Sequence, residues 1–222
     1  MEYRGPTPGD LANIHALNRF FLKSVCAADR SERFATLGAE RLTEAEIARL
    51  ASAPFLLFSF RERDEEFWRR TLGDDAQMDL IDVATPANEK IQQLQVAGLG
   101  FLWQLARRNP YVARIVSGAS VAWCERLGEQ TLVRLLQRVA MRGDLTRIRF
   151  GDNADIWRRL LSNGIGSGYQ TRLASQHCAL QAMLTHVDEA PHRRLSAAAC
   201  TVSAPGQLKT ARPDEVAGIR KV

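Results

Sequence analysis

Apolar residues recur at helical spacing at Leu11, Ile14, Leu17, Phe21 and Val25, and Asp10 is placed to cap the helix they predict. That helix is expected to end near the 27–30 turn, and a short helical piece holding Phe34 and Leu37 to stop at Gly38. "LTEAEIARLA" opens with Thr43 and has Glu46 three residues later, the spacing of a capping box, ahead of Ile47 and Leu50. Ala53-Pro54 closes it, "FLLFSF" reads as a buried or edge strand, and the acids of "ERDEE" favour the N-terminus of a helix around Trp68. Residues 74–88 read as a linker in which Thr85-Pro86 can start the next helix. Helical spacing resumes from Asn88 to about Arg108, breaks at Asn109-Pro110, and continues to Gly118 and again to about Gly128. "EQTLVRLLQRVAMRG" predicts an amphipathic helix, "LTRIRF" alternates as a strand does, and Gly151-Asp152-Asn153 caps a helix around Trp157. After "SNGIGSG", read as a flexible break, "YQTRLASQHCALQAMLTHV" forms a last helix. From Asp188 the chain is polar and rich in Ala, Pro and Ser, the composition of a disordered tail.

The order of these elements repeats. "FWRRTL" at Phe67–Leu72 returns as "IWRRLL" at Ile156–Leu161, 89 positions later. Phe20–Gly38 parallels Gly100–Gly118, and Ile47–Leu72 parallels Leu132–Leu161, with extra residues in the second half around 118–129 and 139–144. Matched elements with gaps only at turns point to a tandem duplication. The expected architecture is mainly α: a helical bundle of two similar helix-strand-helix units with short strands and a disordered C-terminal tail. Its parts are residues 1–75 as the first repeat, 76–94 as linker and start of a connecting helix, 95–187 as the second repeat, and 188–222 as the tail.

Charge separates the halves. Residues 1–94 carry 12 Lys/Arg against 16 Asp/Glu, whereas residues 95–222 carry 18 against 9, so the second half is the one suited to a polyanion. Of the 30 basic residues 26 are arginine, whose forked guanidinium holds phosphates as lysine cannot. No stretch approaches the roughly 20 apolar residues of a bilayer span, and "MEYRGPTPGD" lacks the layout of a signal peptide, so a cytoplasmic protein with no membrane partner is expected. Cys26, Cys124, Cys178 and Cys200 show no CxxC spacing and are expected to be reduced and mostly buried, with no metal site and no cofactor.

The segment Leu42–Asp64 resembles the D subunit of the flagellar master transcriptional regulator. The matching positions are Leu42, Thr43, Ile47, Arg49, Leu50, Ala51, Leu56, Phe60, Arg61 and Asp64. Upstream, "FLKSVCAADRSERFATLG" fits the family's long first helix, turn and Leu-Gly, with about eight of the family's residues missing after Gly38. Phe58 stands where the family carries a cysteine, which removes the basis for its disulfide-linked dimer, and a second copy follows where the family's chain ends. The resemblance implies a helical, non-enzymatic regulator of flagellar or related genes that pairs through its first helices and acts on DNA mainly in complex with a C subunit. A tandem copy is then expected to form within one chain the twofold pair that a dimer forms between chains. Trp68 and Trp157 are expected to be core anchors.

For direct DNA contact the candidates are Arg134, Arg138 and Arg142, four residues apart, with Arg147, Arg149, Arg158, Arg159 and Arg172. "WRRLLSNGIGSGYQTRLASQHCALQ" can also be read as helix, long turn and recognition helix, with Gln170, Arg172, Ser175 and Gln176 near base edges. A contiguous basic face favours a DNA-associated regulator; arginines scattered and paired with Glu125, Glu129, Asp152 and Asp155 favour an adaptor of a regulatory or secretion system that binds protein alone. Enzyme readings have little to stand on. "GIGSG" lacks the strand and Lys-Ser/Thr of a phosphate loop, and His15, His177, His186 and His192 form no metal-binding pair. "ERDEE" is a helix start with no apolar pocket to raise a carboxyl pKa.

Overall fold

Caps place most of the helices. A computed structural model describes residues 5–26, 42–73, 89–151, 153–166 and 168–185. The Phe34–Leu37 piece, the 74–88 linker, Asp152 and the 188–222 tail lie outside the described residues. Helix α1 (Pro8–Cys26) starts earlier than Asp10 predicts, because the Thr7 N–H donates to Asp10 Oδ2 (2.8 Å) and the Asp10 N–H returns to Thr7 Oγ1 (3.2 Å). Helix α2 (Glu44–Ala51) carries the expected box between Thr43 and Glu46. Strand β1 is only Phe58–Ser59, and α3 (Glu65–Leu72) is capped by Asp64. Helix α4 (Glu89–Arg108) is followed by α5 (Pro110–Ser117), capped by Asn109 and closed by Gly118 at φ 68°. Helices α6 (Val121–Glu129) and α7 (Leu132–Ala140) start at Ser120 and Thr131. Strand β2 (Arg147–Ile148) leads to α8 (Ala154–Gly164), capped by Asn153 and running on into the expected break, and then to α9 (Tyr169–Thr185). The described chain is thus mainly helical, with one two-stranded sheet.

The two halves are intertwined. Helix α2 packs on α8 and α7 packs on α3, so each half's capped helix lies against the other half's tryptophan helix. Helices α1 and α4 pack together, and β1 pairs with β2 antiparallel, Phe58 opposite Ile148 and Ser59 opposite Arg147. Exchanging 58 with 147 and 59 with 148 maps this register onto itself, as a local twofold axis requires. All described residues belong to one compact unit, 1–187, and both halves contribute to one core cluster.

Further devices repeat between the halves. The buried Asn18 carboxamide donates to the Phe55 carbonyl (2.8 Å) and accepts from the Leu57 N–H (2.9 Å). Buried Gln95 does the same 88 residues further along the clamped strand, donating to Gly143 O (3.0 Å) and accepting from Leu145 N–H. Each clamp satisfies the backbone of an irregular segment that enters a strand and would otherwise bury orphan polar groups. Arg49 caps the end of α8 through Ile165 O (2.8 Å), and Arg138, 89 residues later, caps α3 through Leu72 O. Arg61 and Phe150, also 89 apart, hold φ of 58° and 57° where each half turns from strand to tryptophan helix. Helix α6 has no described counterpart; it lies where the second half was expected to be longer, and packs Trp123 edge-on against Trp68 at 5.3 Å.

The contacts of α4 give two expected results. Gly98 lies under Phe60, and a Cβ there would sit 2.6 Å from Phe60 Cζ. The rigid ring is itself fully buried, so Gly98→Ala is expected to cost about 1–3 kcal/mol in denaturant unfolding. Asp10, beyond its place in the cap, receives Arg108 from the end of α4. Burial opposes ionisation of Asp10, but the bonds from Thr7 and Arg108 outweigh it and hold the carboxyl below its ordinary value. Its contribution is therefore full above the unfolded-state pKa of about 3.9 and is lost as pH falls through the lower folded value. Asp10→Asn, which can still cap, is expected to lower Tm by about 2–4 °C at pH 7, a gap that narrows toward pH 3 in circular-dichroism melts.

Candidate functional site

The arginines expected to meet DNA do not share one environment. Arg149 is buried: its Nε donates to Leu56 O (2.6 Å) and its Nη2 to Phe58 O (2.5 Å) and to Glu62 Oε1 (3.3 Å). It holds the first half's strand from inside, and the expectation that it contacts DNA is corrected. The alternation of "LTRIRF" breaks because the strand is two residues long and Phe150 turns the chain at positive φ. Arg138 is half-buried and engaged at the end of α3. Arg134 and Arg142 are exposed on the α7 side of the molecule. Arg147 folds back onto Asp144 O (3.2 Å) and Thr146 O (2.9 Å). Arg158 pairs with Asp155 at 2.5 Å, while Arg159 beside it is exposed. Arg172, half-buried, lies 5.6 Å from the Tyr169 ring centroid and donates to Gly166 O (3.4 Å). Helix α7 packs on α3 and α4, whereas α8 packs on α2 and α9, which places the two arginine groups among different neighbours.

The recognition-helix reading is also corrected. Ser175 and Gln176 are buried, the former donating to Arg159 O (3.1 Å) and the latter to Ser52 Oγ (3.3 Å), so α9 turns these groups onto α8 and α2. Met183 on the same helix fills the hollow at Gly118, and Arg63 and Arg114 hold its last carbonyls, at Met183 O (3.0 Å) and Leu184 O (3.4 Å).

The positions that carry the family resemblance build the strand-to-helix corner. Ile47, Leu50, Ala51, Leu56 and Phe60 are buried, Leu42 is half-buried and Thr43 is the cap. Arg61 turns the chain, pairs with Asp64 and stacks 4.5 Å over Phe67, while its carbonyl accepts from Trp68 Nε1 (2.9 Å). The Asp64 carboxylate is held below its ordinary pKa chiefly by the Phe67 N–H, against burial and with help from Arg61. Trp68 Nε1 also donates to Phe60 O (3.1 Å), and Trp157 repeats that bond with its Nε1 donating to Arg149 O. Both indoles are buried core anchors, as expected.

Among the described residues no group of three His, Cys, Asp or Glu is placed to hold a metal, and no helix is long and apolar enough to cross a membrane. Cys124 is buried, which pushes its thiol up to about 12, whereas Cys178 is exposed. The side chains of Cys26 and Cys200 lie outside the described residues. Exposed Val96 on α4, Val133 on α7 and Met141 at the end of α7 were singled out by no sequence pattern; only the three-dimensional repeat brings them out. Compared with family models, curated proteins and solved structures, the chain matches none.

Proposed function

We propose that the chain is a non-enzymatic cytoplasmic regulator of transcription, of flagellar or related genes, that acts by assembling with another protein and not by gripping DNA itself. The observation that carries this reading is the use of the arginines. Arg149 and Arg138 are taken into the fold, Arg158 is paired, and those that remain exposed stand on elements with different neighbours. Affinity for DNA rests on neutralising several phosphates along one face, and a divided set does this poorly. The intertwined halves support the same reading, since the resembling subunit pairs through its first helices, and here α1 and α4 pack together within one chain.

The test has two arms. The purified chain is expected to give no gel shift with duplex DNA at low salt, and the tagged chain, recovered from its native host after nuclease treatment, to carry a stoichiometric protein partner. A shift that disappears with Arg134→Ala and Arg142→Ala would restore direct DNA contact and overturn the proposal. The adaptor reading shares the divided arginines and is separated by transcripts: deletion of the gene leaves them unchanged if the chain serves a secretion system alone.

A further inference from the structure

The two halves place equivalent faces on opposite sides of the local twofold, and those faces differ. On α1 and α2 the face is ionic: Glu44 receives Arg19 at 3.3 Å and Lys23 at 2.9 Å. The clamps make Asn18 equivalent to Gln95, and the caps make Thr43 equivalent to Thr131. Counting from these anchors, the places of Arg19, Lys23 and Glu44 are taken on α4 and α7 by Val96, Gly100 and Leu132. Helices α4 and α7 touch there, a Cβ on Gly100 lying 4.0 Å from Leu132 Cδ1. Three charges have become three apolar or small groups at one spot, so the fold itself does not demand an apolar surface at this place.

The apolar surface extends outward. Val96 is 52%, Val133 67% and Met141 47% exposed, and they are three of the five large hydrophobics with that character among the described residues. Val133 stands in the first turn of α7 and Met141 caps its C-terminal end, about 80° apart around the helix axis, and Val96 follows Gln95, whose carboxamide holds Gly143 and Leu145 just past that helix. The stretch 131–142 contains Arg134, Arg138 and Arg142 and no acid, with Arg134 and Arg142 exposed. An apolar strip on a helix that carries only positive charge is complementary to an amphipathic helix with acidic flanks.

We propose that the α4–α7 face is the docking site for an acidic amphipathic helix of a partner protein, anchored on Val96, Val133 and Met141 and oriented by Arg142. This names the partner chemistry for the assembly reading above and rests on it. The ionic α1–α2 face is the internal control, since its equivalent positions carry the opposite character.

The experiment uses the full chain and a fluorescein-labelled synthetic helix with leucine at helical spacing and glutamate elsewhere, against the same helix with lysine in place of glutamate. Fluorescence anisotropy is expected to show saturable binding of the glutamate helix, at least about tenfold tighter than the lysine helix. Val133→Asp, an exposed change that leaves the core intact, is expected to weaken it by at least about tenfold, Val133→Asp with Arg142→Glu to weaken it further, and Arg19→Ala to leave it unchanged. Equal binding of both helices, or binding indifferent to Val133→Asp, overturns the proposal. So does a chain that is dimeric by light scattering and becomes monomeric with Val133→Asp, which assigns the face to a second copy. Binding that appears only when Asp74, Asp75, Asp79 and Asp82 are changed to Asn overturns it in favour of the chain's own acidic stretch. Each of these failures leaves the assembly reading intact, because that reading is decided by the partner recovered from the host and not by the synthetic helix.

Discussion

Replacing Arg149 with methionine is expected to destabilise the protein by about 3–5 kcal/mol, read as a fall in the urea midpoint at unchanged slope. The guanidinium is 6% exposed and Glu62 3%, so removing one leaves the other as a buried unpaired charge. The same change orphans the carbonyls of Leu56 and Phe58, which have exchanged water for Arg149. The double variant Arg149→Met with Glu62→Leu is expected to recover the part of the loss due to the unpaired Glu62 carboxylate and not the part due to the Leu56 and Phe58 carbonyls, which stay without their donor. A double-mutant cycle measures this: a large coupling between the sites supports the buried pair, and additive effects contradict it. Burial already depresses the Arg149 pKa, the direction expected when charge is withdrawn from water.

Trp157→Ala is expected to cost a similar about 3–5 kcal/mol, and Trp68→Ala likewise. Both indoles are 1% exposed or less, and each joins a tryptophan helix to the turn that precedes it. Trp157→Phe separates the two contributions. It keeps much of the apolar body and removes the Nε1–H bond to Arg149 O, so a smaller loss of about 1–3 kcal/mol is expected. Because α8 packs on α2 and α3 packs on α7, either alanine variant should weaken both halves together. Amide hydrogen exchange checks this: loss of protection in α2 as well as α8 on Trp157→Ala is the expected pattern, and loss confined to the second half speaks against interlocked halves.

What was legible in the sequence is local chemistry. Thr43 with Glu46, Asn109 before Pro110, Asn153 before Trp157 and Gly118 after Ser117 each state a helix end by residue type alone, and each stands where it was expected. The repeat was legible too, but its register in the helices was not. Matching Ile47 with Leu132 differs by three positions from the spacing that the caps at Thr43 and Thr131 define, and matching Phe20 with Gly100 differs by three from the spacing of the clamps at Asn18 and Gln95. A shift of three is nearly one helical turn, so apolar periodicity scarcely distinguishes the alternatives; caps and clamps do.

The candidate site was less legible, for a physical reason. An arginine in a polar-apolar alternation looks solvent-facing, and nothing near Arg149 announces that Glu62, 87 residues earlier, will be its partner. Asn18 and Gln95 likewise sit in apolar helices where a lone carboxamide has no local meaning until the segment it clamps is in place. The apolar α4–α7 face is visible only against its ionic counterpart, a comparison that needs the register first.

The central claim is that two halves of one chain form an interlocked pair. Producing residues 1–78 and 79–187 separately tests it most directly. Neither half is expected to give a dispersed amide spectrum as a monomer, and an equimolar mixture is expected to fold into a one-to-one pair in which β1 and β2 are protected from exchange. A half that folds by itself as a stable monomer, unchanged when the other is added, would contradict it.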